Sequence, residues 1–67
     1  MFQQSQSPAR RFLNEKEAAT YLSVSLSTLR RWRRNQVGPT FFRFGDVLRY
    51  EEEDLEEFIS KHRNAAA

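Results

Sequence analysis

Ser23-Val24-Ser25-Leu26-Ser27-Thr28-Leu29-Arg30-Arg31-Trp32-Arg33-Arg34-Asn35 is the stretch that decides how this chain folds. Its first three residues break one helical pattern and open another. Ser25 stands where an N-cap belongs, with a hydroxyl placed to accept from the backbone N–H of Thr28. Residues 26–35 then read as a helix. At about 100° per residue, Leu26, Leu29 and Trp32 share one face, and Ser27, Arg31 and Arg34 share the opposite one. Thr28 and Arg30 flank the polar face, while Arg33 lies beside the apolar stripe and can lay its stem along it. One helix thus turns an apolar stripe inward and a basic stripe outward.

The preceding segment completes the motif. Asn14 with Glu17 three positions later has the spacing of a capping box, and Glu15 and Glu17 favour the positive end of a helix dipole. Ala18, Ala19 and Leu22 follow as an apolar stripe with Tyr21 at its edge, which gives a short helix over 15–22. Its alanines permit close approach of another helix. Two short helices joined by about three residues make a helix-turn-helix, whose second helix enters the major groove of DNA by its N-terminal part. Ser27, Thr28, Arg30 and Arg31 stand where base or phosphate contacts are made. An arginine that grips a guanine edge with two hydrogen bonds discriminates by about 1–3 kcal/mol.

On the other side, Val37-Gly38-Pro39-Thr40 ends the helical segment. Residues 41–50 read as a β-hairpin about the turn Gly45-Asp46. Arg43 and Arg49 fall on opposite strands, either flanking a phosphate backbone or, for one of them, pairing with nearby acids. Phe41, Phe42, Phe44 and Tyr50 can in principle stack on bases, but so small a core needs most of them, and they are assigned to packing. Residues 51–62 repeat Leu55, Phe58 and Ile59 at helical spacing, with acid crowding the first turn and Lys61, His62 and Arg63 at the far end. The expected class is α+β, mostly α, in the order helix, turn, helix, β-hairpin wing, helix.

Composition sets the limits. A chain of 67 residues, 39% of them hydrophobic, holds one small core and no chamber around a substrate. The expected division is a disordered basic tail over 1–11, a folded domain over 12–63 and a frayed end over 64–67. Arg10 and Arg11 either trail along phosphates or serve as solubilising charge. There is no cysteine for disulfides or metal-thiolate sites, and no run approaches the ~20 apolar residues of a membrane span. A soluble cytoplasmic protein associated with the nucleoid is expected, with no membrane partner. The net charge of +2 conceals a separation of sign: Arg30, Arg31, Arg33 and Arg34 cluster, whereas Glu51, Glu52, Glu53, Asp54, Glu56 and Glu57 crowd together further on. Packed guanidiniums repel one another, and an anionic partner turns that repulsion into binding. An enzyme is disfavoured. His62 is the lone histidine, near a terminus, and Gly38 and Gly45 cannot form a phosphate-cradling loop. No catalytic residue, cofactor, metal or small-molecule substrate is expected. RNA binding and a pure protein-interaction role are the remote alternatives.

An ordered set of short pieces carries a family likeness. These are Leu13-Asn14-Glu15-Lys16-Glu17-Ala18-Ala19, Tyr21-Leu22, Val24-Ser25, Thr28-Leu29, Arg31-Trp32, Gly38-Pro39, Arg43-Phe44-Gly45, Arg49-Tyr50 and Asp54-Leu55. The chain resembles the excisionase-like branch of MerR-type winged helix-turn-helix domains. That resemblance implies duplex DNA as partner, the second helix in the major groove and the wing near the backbone or minor groove. The implied contact set is Ser27, Thr28, Arg30, Arg31 and Arg34, with Arg43 and Arg49 on the wing. It also implies a recombination directionality factor that bends DNA, works with a tyrosine or serine integrase and binds repeated sites head to tail. A small transcription regulator of the same fold is the alternative. Departures from the pattern are Asp46-Val47 at the wing tip, where basic residues are usual, and Ser23 and Asn35-Gln36, where glycine is usual. Asn35 is expected to tolerate a left-handed backbone. About five neutralised phosphates give an expected log–log salt slope near −4 to −5.

Overall fold

The computed structural model describes residues 10–64. The expected disorder of residues 1–9 and fraying of 65–67 therefore lie outside the described residues. The elements run β1 (Phe12–Leu13), α1 (Glu15–Leu22), α2 (Leu26–Arg34), β2 (Phe42–Phe44), β3 (Val47–Glu51) and α3 (Glu52–Lys61). The strands form one antiparallel sheet in the order β1-β3-β2. This is an α+β winged helix-turn-helix, with β2 and β3 as the wing. The strand β1 was not foreseen, because two residues carry no alternation to read. It pairs Phe12 with Glu51 and Leu13 with Tyr50, and the carbonyl of Arg11 accepts from Glu52 N–H at 2.9 Å.

Local chemistry explains the helix ends. Asn14 Oδ1 accepts from Glu17 N–H at 2.7 Å, and Glu17 Oε1 accepts from Asn14 N–H at 2.9 Å, so the capping box forms as read. Ser25 Oγ accepts from Thr28 N–H at 3.1 Å and donates to Thr28 Oγ1 at 2.8 Å. At the other ends, α1 stops at Ser23, which is left-handed at φ 60° and ψ 39°. There Ser23 N–H bonds Thr20 O and Val24 N–H bonds Ala19 O, each at 3.0 Å, the paired pattern of a Schellman motif. The end of α2 repeats it: Gln36 N–H bonds Arg33 O and Val37 N–H bonds Trp32 O. The left-handed residue there is Gln36, at φ 57°, and not Asn35, at φ −92°. The motif needs its left-handed residue one place beyond the half-helical one, and that place falls on Gln36.

The core is small. Ala18, Leu29 and Leu55 are wholly buried, and Tyr50, Ala19 and Leu13 nearly so, with Tyr21, Leu22, Val24, Trp32 and Leu48 packed around them. The helix α1 lies at the centre, touching α2, α3, β1 and β3. Its two alanines are what let α2 approach. Each buried leucine contributes about 1.5–3 kcal/mol. Trp32 is half-buried, and its ring meets Phe58 of α3 at 5.6 Å. The loop after α2 passes so close to Trp32 that a Cβ on Gly38 would stand 3.0 Å from the tryptophan Cβ. Any larger residue there would need Trp32 to give way by a few tenths of an ångström, so glycine is favoured by space, not by φ.

Two packing expectations fail. Of the four wing-region aromatics assigned to the core, Tyr50 alone is buried; Phe44 is 52% exposed and Phe41 36%. For Phe42 and Phe44 the strand register explains it. Phe42 and Phe44 share the outer face of the hairpin with Arg49 and Val47, while Leu48 and Tyr50 face the helices. The outer rings instead make a small cluster with Phe12: Phe12 meets Phe42 at 5.4 Å and Phe44 at 5.7 Å, both edge to face. Ile59 of α3 is also exposed, because α3 lies at the margin of the core and buries Leu55 alone completely.

Candidate nucleic-acid interface

The helix α2 holds its polar side chains outward because Leu29 anchors the opposite side. Ser27, Arg30, Arg31 and Arg34 are exposed. Arg31 and Arg34 make no ion pair or side-chain hydrogen bond among the described residues. Thr28 differs: it is half-buried and its hydroxyl accepts from Ser25 Oγ of the cap. Ser27 Oγ lies 3.2 Å from Ser25 Oγ, at the mouth of the same turn.

The four arginines divide into two pairs through Glu15, in the first turn of α1. Arg30 Nε donates to Glu15 Oε1 at 3.2 Å, whereas Arg33 Nε donates to Glu15 Oε2 at 3.1 Å and its Nη2 forms an ion pair with the same oxygen at 3.0 Å. Arg33 retains 22% side-chain exposure against 48% for Arg30. Below them lies Tyr50, whose proton burial holds more tightly than usual; the Glu15 charge adds to that and Arg33 opposes it. The sequence reading gave Glu15 a helix-dipole role alone. A signal was present: Glu15 precedes Ala18, Ala19 and Leu22 by three, four and seven positions, which sets it on the alanine face that α2 approaches, but spacing alone does not say which arginines it meets there.

The wing arginines are separated. Arg43 pairs across the hairpin with Leu48, and Arg49 with Phe42, so the two project from opposite faces. Arg43 is exposed; Arg49 is half-buried and donates from Nη1 to the carbonyl of Leu48 at 2.8 Å. Neither joins the acids. The acidic block finds other partners: Glu51 lies 3.7 Å from Arg10, Glu57 is 3.7 Å from Lys61, and Glu56 accepts from the Tyr21 hydroxyl. The wing turn has Gly45 at φ 65° and Asp46 exposed at the tip. His62 sits at the end of α3 with Nδ1 2.9 Å from the carbonyl of Phe58, a helix-end contact. No described helix is long and apolar enough to cross a membrane.

Known proteins place this geometry. No curated protein matches the chain significantly. A family model described as a helix-turn-helix domain matches residues 12–63, from β1 past the end of α3. A capped basic helix, set at a three-residue turn on a first helix and flanked by a hairpin, is the DNA-binding form of that motif. The chain belongs to the helix-turn-helix domain family, a family of sequence-specific DNA-binding domains.

Proposed function

We propose that this protein is a small architectural DNA-binding factor of the excisionase type. It lays α2 in the major groove of repeated sites, bends the duplex and helps a tyrosine or serine integrase run in the excisive direction. The observation that carries the DNA-facing part is the exposed row Ser27, Arg31 and Arg34, in which both guanidiniums are without a protein partner among the described residues. The resemblance to excisionase-like domains supports the recombination role. In this reading Arg31 and Arg34 hold phosphate or base edges beside Ser27, with Thr28 supporting the cap. Arg43 reaches the backbone from the wing, while Arg49, half-buried on the other face and bonded to the Leu48 carbonyl, stays off the phosphates. Separation of the basic α2 from the acidic start of α3 supports head-to-tail cooperation between copies.

Titration of the protein against an array of duplex sites from its own genomic neighbourhood, and against random duplex, tests this directly. Tight, cooperative binding to the array with an altered DNA bend is expected. Arg31→Ala and Arg34→Ala each lose about tenfold or more in affinity with the thermal midpoint held. Equal weak binding to both duplexes, or arginine variants that bind like the parent, overturns the assignment of α2. Sites confined to a promoter, with no integrase dependence, assign the same fold to transcription control.

A further inference from the structure

We infer that Glu15 is a specificity-determining residue of the DNA interface: it positions Arg30 to read a guanine and restrains non-specific attraction by the arginine helix. This rests on the reading that α2 faces duplex DNA. The carboxylate assigns one oxygen to each arginine, Oε1 to Arg30 and Oε2 to Arg33. What each arginine has left differs. Arg33 spends both Nε and Nη2 on Glu15 and is largely covered, so it works as an internal brace. Arg30 donates from Nε alone, and its terminal Nη1/Nη2 edge makes no hydrogen bond among the described residues while the side chain stays half-exposed.

That terminal edge is the one whose two parallel N–H groups match guanine O6 and N7. An unrestrained arginine loses rotamer freedom on binding and settles for any phosphate within reach. An arginine already held at Nε has fewer orientations to give up and fewer phosphates to reach. Glu15 also offsets part of the positive charge of Arg30 and Arg33, which lowers affinity for every sequence alike. Both effects widen the gap between specific and random duplex. Glutamine at this position has one acceptor oxygen where the carboxylate has two, so the arginines no longer have an oxygen each, and it carries no charge.

The experiment is selection of preferred sites from a pool of duplexes with a randomised centre, followed by salt-dependent titration of the selected and unselected pools. The parent, Glu15→Gln and Arg30→Lys are compared. The parent prefers guanine at one position by about tenfold or more. Glu15→Gln flattens that position alone, binds unselected duplex severalfold tighter and steepens the salt slope by about one. Arg30→Lys keeps the charge but lacks the two-pronged edge, flattens the same position, and adds nothing to Glu15→Gln in the double variant. A Glu15→Gln protein with the parent's base preferences, or an Arg30→Lys protein that keeps the guanine, overturns the inference while leaving DNA binding intact. A parent that binds no duplex overturns both readings. A Glu15→Gln protein that melts before binding leaves the Arg30→Lys arm to decide.

Discussion

Ser23 and Gln36 hold the same unusual place in the two helices of the motif, and both do so without glycine's freedom. A left-handed backbone brings Cβ close to a carbonyl oxygen and costs a non-glycine residue about 1–2 kcal/mol. The surrounding hydrogen bonds fix the conformation regardless: Val24 and Val37 each reach back to a carbonyl of the helix just ended. Ser23→Gly and Gln36→Gly are therefore expected to raise stability by about 0.5–1 kcal/mol each, after the extra freedom of glycine in the unfolded chain is subtracted. Urea denaturation with unchanged slopes checks this, and a fall in midpoint would show that these side chains contribute contacts glycine cannot replace. The caps at the opposite ends were legible residue by residue, since Asn14, Glu17 and Ser25 bond within three positions of themselves. The left-handed site after α2 was misplaced by one residue. Composition favours asparagine there, but the length of the helix decides where the turn falls.

At the scale of elements, α1 joins the other pieces, and its two faces do so by different means. Toward α2 it presents alanines and the Glu15 carboxylate; toward α3 it presents Tyr21, whose hydroxyl donates to Glu56. That bond, followed by removal from water and the Glu56 and Glu52 charges, raises the Tyr21 pKa to about 12 from 10.0. Folded protein thus binds this proton more tightly than unfolded chain. Its contribution to stability is complete below pH 10 and disappears as pH climbs toward 12. Tyr50 shifts in the same direction through burial, so the parent alone does not isolate the effect. The loss of stability between pH 10 and 12 is expected to be smaller in Tyr21→Phe than in the parent, by thermal melting; equal losses would mean the Tyr21–Glu56 bond does not couple α1 to α3. Helices were legible because each holds more than two turns of the 3.6-residue period and is marked by a cap or a charged end. The sheet was legible only in part. A hairpin announces itself by its turn, but β1 exists because β3 offers an open edge, and no property of Phe12-Leu13 alone reveals that. The aromatics misled for the same reason: Phe42 and Phe44 face outward by register, which the sequence did not specify.

For the whole molecule, the arrangement of charge sets what DNA would feel. Seven residues were marked for contact from sequence, five of them arginines: Arg30, Arg31, Arg34, Arg43 and Arg49. The fold does not leave those five equivalent. Arg31, Arg34 and Arg43 are exposed and unpaired among the described residues; Arg30 is held by Glu15, and Arg49 is half-buried against a carbonyl. Each phosphate neutralised contributes about −0.9 to the slope of log affinity against log salt. Five equivalent phosphate contacts would give about −4.5, whereas three free arginines give about −2.7. The shallower value is the one expected if only the free arginines meet phosphate. Removing Arg31, Arg34 or Arg43 singly is expected to reduce the slope by about 0.9, and Arg49→Ala to leave it unchanged. A measured parent slope near −4.5 that falls with Arg49→Ala would mean the wing turns its aromatic face toward the duplex. Phe42 and Phe44 would then belong beside the DNA, and the docking of α2 would have to tilt to bring that face in.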